Sequence, residues 1–143
     1  MENDLPQANW KEKVLFFLGR RRAILVEGNS MLPNLKNGDA VLIDPNAKIA
    51  VGDIVLAKHP FKASVMILKR LAEINDDGNY FVVGDNLPQS TDSRTFGSLP
   101  VKSILGKAVC RLNNQNYRSS LFKIFPVAVI GKISRNSTKR GYL

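Results

Sequence analysis

The sequence predicts a mainly β fold with a short N-terminal helix or arm, and three observations carry that prediction. From Ala23 onward, short runs of Val, Ile and Leu alternate with Gly, Asn, Asp and Pro at spacings that suit strands and tight turns. Before that point, Trp10 to Gly19 carries an apolar pattern closed by a glycine, the mark of a short amphipathic helix. The 143 residues, 44% hydrophobic and 23% charged, have the size and balance of one globular domain.

Residues 1–22 are read as the arm, polar at first and then running through Phe16-Phe17-Leu18-Gly19 into Arg20-Arg21-Arg22. Its apolar face needs a cover, either the domain's own core or an anionic membrane surface. Strands are predicted over Ala23 to Glu27, Ala40 to Ile43, Ile54 to His59, Val65 to Leu71, Tyr80 to Val83 and Ile104 to Leu112, giving a domain over 23–112. Asn37-Gly38-Asp39 and Asp76-Asp77-Gly78-Asn79 supply tight turns, and Val51-Gly52-Asp53 opens a strand. Asp85 to Pro100 reads as a long polar loop, and loops of that length inside a compact domain tend to be functional. Residues 113–143 are read as a basic C-terminal extension containing an apolar run broken by Pro126, with no role assigned.

Several function classes are excluded at this level. With Cys110 the only cysteine and His59 the only histidine, no internal disulfide and no Cys/His zinc cluster can form, so neither metal nor cofactor is expected. Cys110 lies in the apolar run Ala108-Val109-Cys110 and reads as a small core residue rather than a nucleophile. The longest apolar stretches, Val14 to Gly19 and Ile124 to Gly131, fall short of the roughly 18 to 20 residues that cross a bilayer. Glu2, Asp4 and Glu12 argue against a secretory signal, so a cytoplasmic location is expected, with peripheral membrane contact through the arm as the alternative. The net charge of +9 is uneven, because Asp92 is the last acidic residue and ten Lys or Arg follow it. That field suits nucleic acid, anionic lipid or an acidic protein, and equally a solvated basic face.

Three segments carry residues suited to chemistry. In Val26-Glu27-Gly28-Asn29-Ser30-Met31-Leu32-Pro33 a strand ends in Gly-Asn and places Ser30 just beyond it, where a nucleophile would be accessible. Gly28 permits a positive φ or a close approach of peptide backbone. In Val65-Met66-Ile67-Leu68-Lys69-Arg70-Leu71, alternation puts Lys69 on one face with Val65, Ile67 and Leu71, and Arg70 on the other. Desolvation there lowers a lysine pKa toward the range where the amine acts as a base, whereas arginine keeps its proton. In Gly84-Asp85-Asn86-Leu87-Pro88-Gln89-Ser90-Thr91-Asp92-Ser93-Arg94, an Asp92–Arg94 ion pair would fix the loop and Ser90 would orient a lysine amine. Each segment alone has an ordinary structural explanation: a turn serine, a snorkelling lysine, a capped surface loop.

Together and in this order, the segments resemble the signal peptidase I family. The resemblance is carried by Gly28-Asn29-Ser30-Met31-Leu32-Pro33 with Leu35 and Gly38-Asp39, by Gly52-Asp53-Ile54-Val55, by Lys69-Arg70, and by Gly84-Asp85-Asn86 with Ser90, Asp92-Ser93-Arg94 and Phe96-Gly97. It spans roughly residues 24–109 and implies a signal peptidase/LexA-like β-fold and a serine endopeptidase with a Ser/Lys dyad. By position it implies Ser30 as nucleophile, Lys69 as general base, Ser90 as the hydroxyl that positions the lysine, and Asp92 and Arg94 as a supporting pair. The Ser30 N–H would serve an oxyanion hole. Many members carry a serine two positions before the nucleophile, where this chain has Gly28, and no membrane anchor is evident. The compact members that mature nickel-type superoxide dismutase are the nearest likeness, which implies a precursor of that dismutase as substrate, cut to release its N-terminal propeptide.

The alternatives are a signal peptidase acting on secretory signal peptides, a self-cleaving regulator of the LexA or UmuD type, and a basic β-barrel that binds nucleic acid. No Ala-Gly or Cys-Gly scissile pair is present, which counts against the regulator. The strands hold few aromatics for base stacking, so nucleic acid is not an expected partner. His59-Pro60 closes a strand and reads as a surface histidine rather than a triad member.

Overall fold

The computed structural model describes residues 5–112 and the backbone of a strand over 128–130. Helix α1 (Trp10–Phe17) is followed by β1 (Arg22–Val26), β2 (Ala40–Asp44), β3 (Ile54–Lys58), β4 (Met66–Ile74), β5 (Tyr80–Val83), the short helix α2 (Ser93–Phe96), β6 (Ile104–Leu112) and β7 (Ala128–Ile130). The strands form one sheet in the order β5-β4-β3-β6-β2-β1-β7, antiparallel except where β7 joins β1 in parallel. The mainly β architecture with a short N-terminal helix is therefore as the sequence predicts.

Alternation along the strands sorts the core onto two sides of the sheet. Ile24, Val26, Val41, Ile43, Ile54 and Leu56 pack in one cluster with Met31, Leu35 and Leu68. On the opposite side, Ala23, Ala40 and Leu42 meet Cys110, Leu112 and Phe16, while Val55, Ala57, Leu71, Val82 and Leu99 make a third cluster. Cys110 is buried there, and burial pushes its thiol up to about 12, so it is the inert core residue expected.

Helix α1 covers the second cluster. Asn9 caps it by accepting the Glu12 N–H at 3.0 Å, and Phe16 alone of its side chains is fully buried, worth about 2 kcal/mol. Arg21 pins the helix through Glu12 at 2.7 Å and through Asp44 of β2 at 3.0 Å. Before the helix, the chain runs along β6: the Arg111 N–H donates to the Pro6 carbonyl and the Ala8 N–H to the Arg111 carbonyl, both at 2.8 Å. That segment occupies the flank of β6 that β3, paired only from Ile104 to Lys107, leaves open.

The 85–100 segment differs from the plain loop predicted. It contains α2, capped by Asp92, and a single 3-10 turn at Leu87–Gln89, both too short to show a period. Of the basic extension over 113–143, only the backbone of β7 falls among the described residues, as does only 5–22 of the arm.

Candidate active site

Ser30 stands in the turn that leaves β1. Gly28 takes φ 86°, a left-handed conformation that costs glycine least, and its N–H donates to the Asn37 side chain at 2.8 Å. Ser30 is thereby swung off the strand axis and left half-buried at the mouth of a cleft. Its N–H donates to no group among the described residues.

Lys69 stands opposite Val55 in the β3–β4 ladder, on the apolar side with Leu71 and Ile67, as the alternation predicts. It is only 6% exposed, so it does not snorkel. Burial lowers its pKa; Asp92 partly offsets this and Arg94 adds to it. No ion pair holds its ammonium among the described residues, so burial is the main influence on its proton.

Ser30 and Lys69 line the same cleft of about 210 Å³, with Val26, Glu27 and Met31 on one wall and Val65 to Leu68 on the other. The β5 ladder begins only at Arg70, so among the described residues β5 does not pair Met66 to Lys69.

Asp92 sits behind Lys69 and is wholly buried. Burial alone would raise its carboxyl; the Arg94 guanidinium, the Gly84 N–H and the Ser90 hydroxyl outweigh that and hold it well below the carboxylate range. The contacts are Arg94 Nε to Oδ1 at 2.9 Å, Gly84 N–H to Oδ2 at 2.9 Å and Ser90 Oγ to Oδ2 at 2.7 Å. The expected Asp92–Arg94 pair is therefore present. Ser90 gives its hydroxyl proton to Asp92, which leaves its oxygen free to accept from an amine; no hydrogen bond joins it to Lys69.

Three features escape the sequence reading. A Cβ on Gly84 would fall 2.1 Å from Ser90 Oγ and 2.6 Å from the Ser30 carbonyl oxygen, so only glycine lets these segments meet. Asn86 then grips the Ser30 turn, its N–H donating to the Ser30 carbonyl at 2.9 Å and its side chain to the Asn29 carbonyl at 3.0 Å. Arg70 forks onto Asp85 at 2.8 and 2.7 Å while Asn34 donates to the same carboxylate at 2.7 Å. His59 is partly exposed, in keeping with the surface histidine expected. It lines the far end of the cleft against Phe96, its Nδ1 accepting the Phe61 N–H at 3.1 Å. No carboxylate bonds to it among the described residues, so the orienting partner of a triad is missing.

A serine hydroxyl and a desolvated lysine amine thus line one cleft, and the chain is similar to known proteins. The family described as signal peptidase, peptidase S26, matches residues 73–113. A mitochondrial ATP-independent inner membrane protease subunit 1a of Arabidopsis thaliana is 34% identical over 122 residues, covering 67% of this chain and 73% of the relative. The chain belongs to the peptidase S26 family of signal peptidases. Mitochondrial inner membrane protease subunit 1 of Xenopus tropicalis is 33% identical over 112 residues, covering 62% of this chain and 67% of the relative. The human protein of that name is 29% identical over 131 residues, covering 76% and 72%.

This S26 peptidase is thus a serine-type peptidase acting on protein substrates. Two expectations are corrected. The relatives are named as inner membrane proteases, which overturns the cytoplasmic location. That expectation rested on short apolar stretches; among the described residues no helix is long and apolar enough to cross a membrane, which leaves attachment at a surface untouched. None of these relatives is named for dismutase maturation, and the signal-peptidase alternative fits them better than the propeptide of nickel-type superoxide dismutase.

Proposed function

We propose that the chain is a Ser/Lys endopeptidase that removes N-terminal signal segments from precursor proteins at a membrane. The supporting observation is one cleft lined by half-buried Ser30 and by buried Lys69, which makes no ion pair among the described residues. In this reading Ser30 Oγ attacks the scissile carbonyl while neutral Lys69 takes its proton, and the Ser30 N–H donates to the oxyanion. The Lys69 ammonium then protonates the leaving amine. Water, deprotonated by the same lysine, releases the acyl group from Ser30. Ser90, held by Asp92, offers its oxygen to the amine and fixes where it points.

The test is incubation of the purified chain, Ser30→Ala and Lys69→Ala with a signal-bearing precursor and, separately, a nickel-type superoxide dismutase precursor, reading new N-termini by mass spectrometry. One defined cut of the signal-bearing precursor is expected, reduced on the order of 10³-fold or more in either variant and no further in the double variant. A cut of the dismutase precursor alone would keep the dyad and restore the propeptide substrate. No cleavage of either, or activity surviving both substitutions, would overturn the proposal. The rate should climb with pH through the lowered Lys69 pKa, because only the deprotonated amine accepts the serine proton; a flat profile would remove Lys69 as the base.

A further inference from the structure

We infer that the outward face of α1 is an interfacial docking surface for anionic lipid. At about 100° per residue, Trp10, Val14 and Leu18, the last at the C-cap, fall along one side of the helix. They are 70%, 45% and 69% exposed. The opposite side is committed to the domain through buried Phe16 and through Glu12, which Arg21 holds, so the helix cannot roll to hide the stripe. Lys11 and Lys13 lie on the two flanks of the stripe, and Arg20 and Arg22, both exposed, follow at the helix end.

The only carboxylate on the helix faces inward and is paired. The outward face therefore presents apolar side chains bordered by cations, with no acidic group among them. Lysine stems can lie along acyl chains while their ammonium groups reach phosphates, which makes an anionic bilayer the occupant whose chemistry matches. Basic flanks would repel one another across a contact between two copies. The inference gives the proposed work at a membrane a physical means, yet it stands on α1 alone and needs no catalysis.

Trp10 is the single tryptophan, so its emission reports this face directly. The full chain is titrated with phosphatidylcholine vesicles, with and without phosphatidylglycerol, following emission and flotation. A blue shift and co-flotation are expected with the anionic vesicles only, weakening as salt is added. Val14→Ser/Leu18→Ser, which keeps the probe and alters only exposed positions, should bind about ten-fold or more weakly while cleaving peptide in solution as wild type does. Ser30→Ala should float as wild type does, so failure of the peptidase reading would be seen separately. No shift with anionic vesicles, equal binding to both compositions, undiminished binding by the double variant, or a concentration-dependent shift without lipid would each overturn the inference.

Discussion

A glycine without which two chain segments would collide is as much a part of the candidate site as the side chains that react. With Ser90 Oγ and the Ser30 carbonyl so close to where a Cβ would project, Gly84→Ala forces apart the two sides of the Lys69 environment. Cleavage should fall about 100-fold or more with the fold retained, checked by steady-state kinetics beside circular dichroism. Ser30 and Lys69 are legible in the sequence because each carries a local mark: a Gly-Asn exit from a strand, and a lysine in an apolar alternation. Gly84 and Asn86 are not, because what they do depends on a carbonyl that folding alone brings near. The packing of His59 on Phe96 is illegible for the same reason, since Phe96 belongs to a remote helix.

Between elements, the Arg70–Asp85 fork joins β4 to the segment after β5, and Asn34 extends it to the serine loop. Strand alternation shows that Arg70 points away from Lys69, but it cannot name the partner. Lysine cannot reproduce two parallel N–H donors, so Arg70→Lys should keep only part of the function and Arg70→Ala less. The alanine variant should lose about 2 kcal/mol in stability and about ten-fold in kcat, with KM changing less, because the fork positions Lys69 and the Ser30 turn without touching substrate. Denaturant melts and initial rates measure both. Helix α2 is illegible for another reason: four residues give no period, and only the Asp92 cap hints at it.

For the molecule as a whole, a buried lysine makes stability depend on pH in a direction that can be worked out. The folded pKa lies below the ordinary value of 10.5, so between the two the unfolded chain binds more protons and stability rises with pH. Below the folded value the cost is present in full. Lys69→Met should therefore melt at a higher temperature than wild type near neutral pH, with the gap closing toward the ordinary lysine range; a lower melting temperature would contradict this. Asp92 works the other way: its stabilisation is complete above the ordinary carboxylate range and is lost as pH falls toward its depressed pKa. Strands β1 to β6 are legible because each alternates or runs apolar, whereas strand order is not, being set by contacts between remote segments. β7, only three residues long and lying just after Pro126, gives too short a signal.

Strand order also bears on when the enzyme is born. Ser30 follows β1, whose sheet partner among the early strands is β2; Lys69 lies in the β3-β4-β5 block, and within the sheet only β6 stitches the two together. β6 is made after every residue named in the cleft. Within the sheet, a nascent chain therefore holds Ser30 and Lys69 in separately paired blocks until β6 has left the ribosome, and before that the contacts of Asn86 and Asp85 with the serine loop are what join them.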